Sequence, residues 1–165
     1  MFEFMTYLSN GKRIDRRVQA ATEGDPYEHY LSGFWRIDPA DLRDVESELG
    51  YSLPEQLSAF YWEIGVGTVR SSKKIEGLSY NNVLFPWDMG KLIGGTCAWA
   101  DPDIEIEPDV LPFLERDVGL FLCVRPESEQ PNAVHWMWGD KICDSVVEFF
   151  QRVIVDPDWF NPTAP

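Results

Sequence analysis

The chain has 165 residues, enough for one domain that buries a core without disulfide or metal help. Fourteen Lys+Arg stand against 28 Asp+Glu, a formal net charge of −14, so the surface should repel nucleic-acid phosphates and anionic membranes and draw in a basic partner. No window is apolar for the roughly 18 residues of a membrane span, and Met1 to Tyr7 lack the basic start of a secretory signal. Cys97, Cys123 and Cys143 form neither a disulfide framework nor a zinc pattern, so a reduced, cytoplasmic chain is expected.

The first 36 residues read as an N-terminal arm packed on the body, and residues 37–165 as one globular unit. Lys12, Arg13, Arg16 and Arg17 cluster in the arm and are expected to make ion pairs within the chain. Ile14, Val18, Tyr27, Tyr30, Leu31 and Phe34 suggest amphipathic pieces, partly helical, on either side of a Gly24-Asp25-Pro26 turn. Asp38-Pro39-Ala40-Asp41 then opens the clearest helix. Asp38 can cap the free amides, Pro39 fits the first position and Asp41 complements the dipole. Leu42, Val45 and Leu49 recur at helical spacing, and Gly50 ends the run. A second helix starts near Leu53-Pro54-Glu55, with Leu57, Phe60, Tyr61 and Ile64 as its stripe and Gly65 as its close. The short link predicts that the two helices pack as a hairpin.

After Gly67 the pattern turns to β. Thr68 to Arg70 and Ile75 to Phe85 read as strands around polar turns at Ser71-Ser72 and Asn81-Asn82. Pro86-Trp87-Asp88-Met89 opens a short helix through Ile93, and a loop runs from Gly94 to Val110. Strands return at Pro112–Leu114, Gly119–Arg125 and Ala133–Trp138, the last two joined by a polar loop. Ser145-Val146-Val147-Glu148 is a capping-box signature for a final helix with Phe149, Phe150, Val153 and Ile154 on its apolar face. The prolines of Asp156 to Pro162 stop it. This order predicts an α+β fold: a mostly antiparallel sheet with an N-terminal helical hairpin and a C-terminal helix.

No catalytic constellation emerges. The chain has two histidines, His29 and His135. His135 alternates with Val134 and Trp136 in a strand, which suits a half-exposed sheet position better than a general base. Cys143, eight residues on, is better read as core, as are the other cysteines. The glycines of Gly65-Val66-Gly67 and Gly94-Gly95 are not phosphate loops, since no Gly-Lys-Ser/Thr occurs. Trp136 and Trp138 read as sheet core.

The most unusual segment is Asp101-Pro102-Asp103-Ile104-Glu105-Ile106-Glu107-Pro108-Asp109, with five acids and no base. It is no calcium loop, because Ile106 and Pro112 stand where such a loop needs Gly and Glu. Alternation puts Asp103, Glu105 and Glu107 on one face and both isoleucines on the other, as in a charged edge strand or a solvated loop. Flanking Trp87 and Trp99 make the same segment a docking surface, because aromatic anchors ringed by acids suit a binding hot spot. Asp101, Asp103, Glu105, Glu107, Asp109, Trp99 and Trp87 are therefore the candidate partner-binding residues. No catalytic residue, metal ligand or cofactor is assigned.

Ile37-Asp38 through Leu42, Val45, Glu46 and Leu49-Gly50, followed by Leu53-Pro54, Phe60-Tyr61 and Gly65-Val66-Gly67, resembles the SMI1/KNR4 (SUKH) superfamily. Ser145 to Phe150 resembles its closing Ser-aromatic-x-Glu-Phe helix. The likeness covers roughly residues 37 to 154, and its specific part is the Leu-Gly…Leu-Pro segment. Gly65-Val66-Gly67 departs from the more usual Asn-Gly-Gly, and the arm lies outside the pattern. The matching residues are structural in the family, so no catalytic role is carried over. The resemblance implies a non-enzymatic bacterial immunity protein that covers the active site of a cognate secreted toxin, often a nuclease. Apart from the resemblance, exposed edges and many aromatics permit a homodimer as well as a monomer, and the acidic charge predicts binding to neither nucleic acid nor membrane. The family also implies the alternative of an interaction scaffold without a toxin partner.

Overall fold

A computed structural model describes residues 1–13, 33–69, 81–101, 103–107 and 109–160 of the chain. After a 3-10 turn at Glu3–Leu8 come β1 (Ser9–Arg13), β2 (Gly33–Arg36), α1 (Pro39–Leu49), α2 (Glu55–Glu63), β3 (Val66–Thr68) and β4 (Asn82–Val83). Then follow α3 (Pro86–Ile93), β5 (Leu111–Asp117), β6 (Leu120–Val124), β7 (Val134–Trp136), β8 (Lys141–Cys143) and α4 (Val146–Val153). The strands form one sheet in chain order, β1 to β8. The β1–β2 pair is parallel and every later pair is antiparallel. The fold is α+β, with a mostly antiparallel sheet and a C-terminal helix.

The helix signals act as the side chains suggest. Asp38 accepts the Ala40 N–H at 2.8 Å, and Gly50 leaves α1 at φ +79°. Glu46 Oε1 accepts the Leu53 N–H at 2.9 Å and fixes the turn between α1 and α2. α2 has no side-chain cap of its own. Instead Asn132 Oδ1 accepts the Gln56 N–H at 3.0 Å, while Gln56 Oε1 accepts the Val147 N–H at 3.1 Å. One glutamine thus joins the starts of α2 and α4, whose first amides have no partner within their own helices. At α4, Ser145 Oγ accepts the Glu148 N–H at 3.0 Å. The return bond to Glu148 comes from the Asp144 N–H at 3.1 Å, one residue earlier than in a standard capping box.

The core is aromatic. Phe60 of α2 stacks on Phe150 of α4 at 4.1 Å and 6°. Phe2 meets both rings edge-on at 5.1 and 6.1 Å, and Phe34 and Phe113 close the cluster. The tail also belongs to it. Arg116, 3% exposed, pairs with Asp158 at 2.7 Å, and Phe160 is buried beside Trp136.

Several expectations change. Phe34 lies in β2, paired with Gly67 of β3, instead of in an amphipathic helical piece of the arm. Its φ and ψ are set by sheet pairing, which a short apolar run cannot reveal. α1 and α2 both form, but the main helix neighbour of α1 is α3, while α2 lies on β2 and α4. Asn82 is a strand residue and Asn81 is buried at φ +42°, so the pair is not an exposed turn. β3 begins at Val66, and β8 lies between Trp138 and Ser145, where no strand was expected. The arm's turn at residues 24–26, the tyrosines 27 and 30, His29, the Ser71-Ser72 turn and the strand residues before 81 fall outside the described residues.

Candidate partner-binding surface

Strand alternation decides where the acidic segment sits. Leu122 pairs with Trp136, whose ring lies 5.9 Å from Phe160, so this side of β6 faces α4 and the tail. Phe121, Cys123 and the flanking Arg125 point the other way. The Trp99 ring lies 6.3 Å from that of Phe121, so the loop after α3 crosses this second face.

Within the loop the expected alternation holds without a strand. Asp101, Asp103, Glu105, Glu107 and Asp109 are exposed, while Ile104 and Ile106 are half-buried against the core. Residues 103–107 pair with no strand, so the two isoleucines and one cation hold the segment. Arg125 is that cation. Its NH2 group donates to Glu107 at 2.8 Å and its NH1 group donates to Asp109. Asp101 accepts the Asp103 N–H at 3.0 Å. The five acids therefore divide. Glu107 and Asp109 neutralise Arg125, and Asp101, Asp103 and Glu105 make no ion pair among the described residues.

The two tryptophans also divide. Trp99 is 48% exposed. Trp87 is 3% exposed, stacked on Phe85 at 4.5 Å. Trp87 is therefore a core residue, not the anchor expected of it. It stands in the first turn of α3, on the side turned inward, while Trp99 is carried out on the loop.

One residue not singled out in the sequence lies beside this loop: Val118, 67% exposed, next to Gly119 in the β5–β6 turn. Leu120, 38% exposed, follows it on the side of β6 shared with Leu122. A Cβ added to Gly119 would stand 3.3 Å from Ile104 Cδ1, so turn and loop touch. The available signal was an apolar residue at a turn tip, Asp117-Val118-Gly119, which packing alone does not call for. Arg125 was likewise read only as the end of a strand.

The remaining candidates are structural. His135 is half-buried, with Nδ1 3.4 Å from the Gly139 carbonyl. Burial lowers its pKa, the Gly139 contact opposes this, and nearby Arg125 and Lys141 lower it further. Burial raises the thiols of Cys97 and Cys123 and pushes Cys143 up to about 11, so none is an activated thiolate near neutral pH. Among the described residues no cysteine is hydrogen-bonded to a histidine, and no three His, Cys, Asp or Glu stand close enough to hold a metal ion. Trp136 is core as expected, but Trp138 is 53% exposed, lying flat on Trp136 at 4.9 Å. β7 ends at Trp136, and Gly139 at φ +107° turns the chain before alternation can carry Trp138 inward.

Immunity protein YxxD of Bacillus subtilis (strain 168) is 25% identical over 125 residues, covering 73% of this chain and 82% of that protein. Comparison with solved structures gives no significant match. The profile of the SMI1 / KNR4 family (SUKH-1) matches residues 36–152, from the end of β2 to the last turn of α4. The chain belongs to the SMI1/KNR4 (SUKH-1) family.

Proposed function

We propose that this protein is an immunity protein that binds a cognate secreted bacterial toxin and neutralises it by covering the active site. The family acts by binding, and the protein is not an enzyme. The observation that carries the reading is the half-exposed Trp99 beside the exposed Asp101, Asp103 and Glu105, on a loop pinned to the sheet by Ile104, Ile106 and Arg125. A rigid aromatic anchor with a charged rim is how a small surface gains both affinity and selectivity. The rim calls for a basic surface on the toxin. Carboxylates in a nuclease cleft would occupy the places of substrate phosphates, so a nuclease is the favoured toxin class. Three free thiols suit a cytoplasmic site of action, where the toxin would meet its target. Among the described residues no helix is long and apolar enough to cross a membrane.

The test is co-expression with the product of the neighbouring upstream gene, followed by co-purification. Rescue of growth with a stable one-to-one complex is expected, with an association rate that falls as salt rises. Toxicity without rescue and without a complex would overturn the immunity reading and leave an interaction scaffold.

A further inference from the structure

We infer that Trp138 and Asp140 form a preformed receptor for one arginine side chain of the toxin, with the guanidinium flat on the Trp138 ring and hydrogen-bonded to the Asp140 carboxylate. This inference rests on the toxin-binding reading above and adds a contact on the side of the sheet opposite to Trp99.

The pair is held in place before any partner arrives. One face of the Trp138 ring lies on Trp136 at 4.9 Å and 8°, and its Nε1–H donates to Asp140 Oδ2 at 3.0 Å. The Asp140 carbonyl accepts the Trp136 N–H at 2.8 Å, and the Gly139 N–H donates to the Trp136 carbonyl at 2.9 Å. A ring fixed by stacking and a hydrogen bond loses little freedom when a ligand settles on it. The pair is also uncompensated. Trp138 is 53% exposed, Asp140 is exposed, and among the described residues neither makes an ion pair or a cation–π contact. Lys141, next in the chain, is held by Gln130 and Asp144 instead.

The chain itself shows what such an arrangement takes. Asp158 and Phe160 are likewise an acid and an aromatic two residues apart, and they receive Arg116. Its guanidinium carbon lies 5.7 Å from the Phe160 centroid, and its NH2 group donates to Asp158 at 2.7 Å. Trp138 and Asp140 offer the same two groups at the same spacing, on the surface. Trp is the best ring for a cation, and a guanidinium can stack and donate at once where an ammonium is a point charge. The position also suits the one toxin. The Met137 N–H donates to the Phe121 carbonyl at 3.1 Å, which continues the β6–β7 register and sets Trp138 level with Leu120. Trp99 lies beside Phe121, one residue on and across the sheet. Both contacts therefore flank one end of β6, within reach of the roughly 800 Å² that each partner gives to a standard interface.

Two measurements test this. The first is NMR of the intact, nitrogen-labelled protein titrated with acetyl-Gly-Arg-Gly-amide, with the citrulline peptide as its uncharged isostere. The Trp138 indole N–H resonance should move saturably with the arginine peptide, stay still with citrulline, and stay still in Asp140→Asn. That variant can still accept the Trp138 Nε1–H, so it removes the charge without releasing the ring. The second is surface plasmon resonance with the neighbouring gene's toxin domain, inactivated by a substitution of its own. Trp138→Leu, which keeps apolar area but has no π face, and Asp140→Asn should each weaken binding by about tenfold or more. Trp62→Leu changes a similarly exposed tryptophan on α2 and should stay within about threefold of wild type. Circular dichroism confirms that each variant is folded. A Trp138 resonance unmoved by the arginine peptide, or moved equally by both peptides, overturns the receptor. Wild-type toxin binding by either receptor variant, or an equal loss in Trp62→Leu, overturns it too. No toxin binding by the wild type overturns the immunity reading and the assignment of the arginine to a toxin; the peptide titration, which needs no toxin, separates that failure from failure of the receptor.

Discussion

Gly65 and Gly50 offer a controlled pair, because both have positive φ and only one is crowded. Gly50 leaves α1 at φ +79°, and a Cβ there would meet nothing within 4 Å. Gly65 links α2 to β3 at φ +106°, and a Cβ there would stand 1.9 Å from the Trp35 carbonyl oxygen. Gly50→Ala therefore carries only the left-handed penalty, about 1–2 kcal/mol. Gly65→Ala carries a similar strain, and the backbones of β2 and β3 must also move apart by roughly 1 Å, enough to lose a hydrogen bond. Trp35 pairs with Val66 at that point, and the surrounding chain is buried, so the freed groups would lack water. Adding about 1–3 kcal/mol for a buried group left unpaired gives a total of about 2–5 kcal/mol for Gly65→Ala. For a chain of this length that lowers Tm by roughly 10 °C, against about 4 °C for Gly50→Ala. Urea and thermal unfolding followed by circular dichroism measure both. Equal losses in the two variants would refute the argument that close approach of β2, not backbone conformation alone, requires glycine at 65.

Other consequences follow from particular contacts. Phe150→Ala removes the ring stacked on Phe60 and met edge-on by Phe2, and should cost about 3–5 kcal/mol in urea unfolding. Arg125→Met should change global stability by less than about 1 kcal/mol, because its pairs are solvent-exposed. It should nevertheless speed hydrogen exchange at the Val110 amide, which is bonded to the Glu107 carbonyl; unchanged exchange would remove Arg125 as the loop's clamp. Glu63 gives the pH dependence. Desolvation would raise its carboxyl, but the Met1 ammonium at 2.9 Å and the Phe2 N–H outweigh this, and its pKa falls below the usual value. A carboxylate depressed in the folded state stabilises above its unfolded pKa, near 4.3, and loses that contribution as pH falls through the folded pKa. Glu63→Gln should therefore be less stable than wild type at pH 7 by under about 1 kcal/mol, and the gap should close toward pH 3. A gap that persists there would show that charge is not its source.

Local chemistry was legible in the sequence wherever one or two neighbours complete it. Asp38, Pro39 and Gly50 bound α1, and Ser145 and Glu148 open α4, because caps are satisfied within one helical turn. The acid-out, isoleucine-in alternation of residues 103–107 was legible for the same reason. The family pattern was legible too, since Leu49-Gly50 and Leu53-Pro54 encode a helix end and a helix start. What needed tertiary structure was every property set by a distant partner. Trp87 and Trp99 are the same residue type, both N-terminal to the acidic segment, yet Phe85 and the helix turn bury the first and the loop exposes the second. The five acids look equivalent until Arg125, at least 16 residues away, takes two of them. β2 and β8 exist because β3 and β7 offer them open hydrogen-bonding edges, not because their own few residues demand it. Hydrogen bonds and charges between residues far apart in the chain depend on the fold bringing them together. The sequence by itself determined the helix ends, the alternation and the family; the fold decided which acids pair with Arg125 and which aromatics stay exposed.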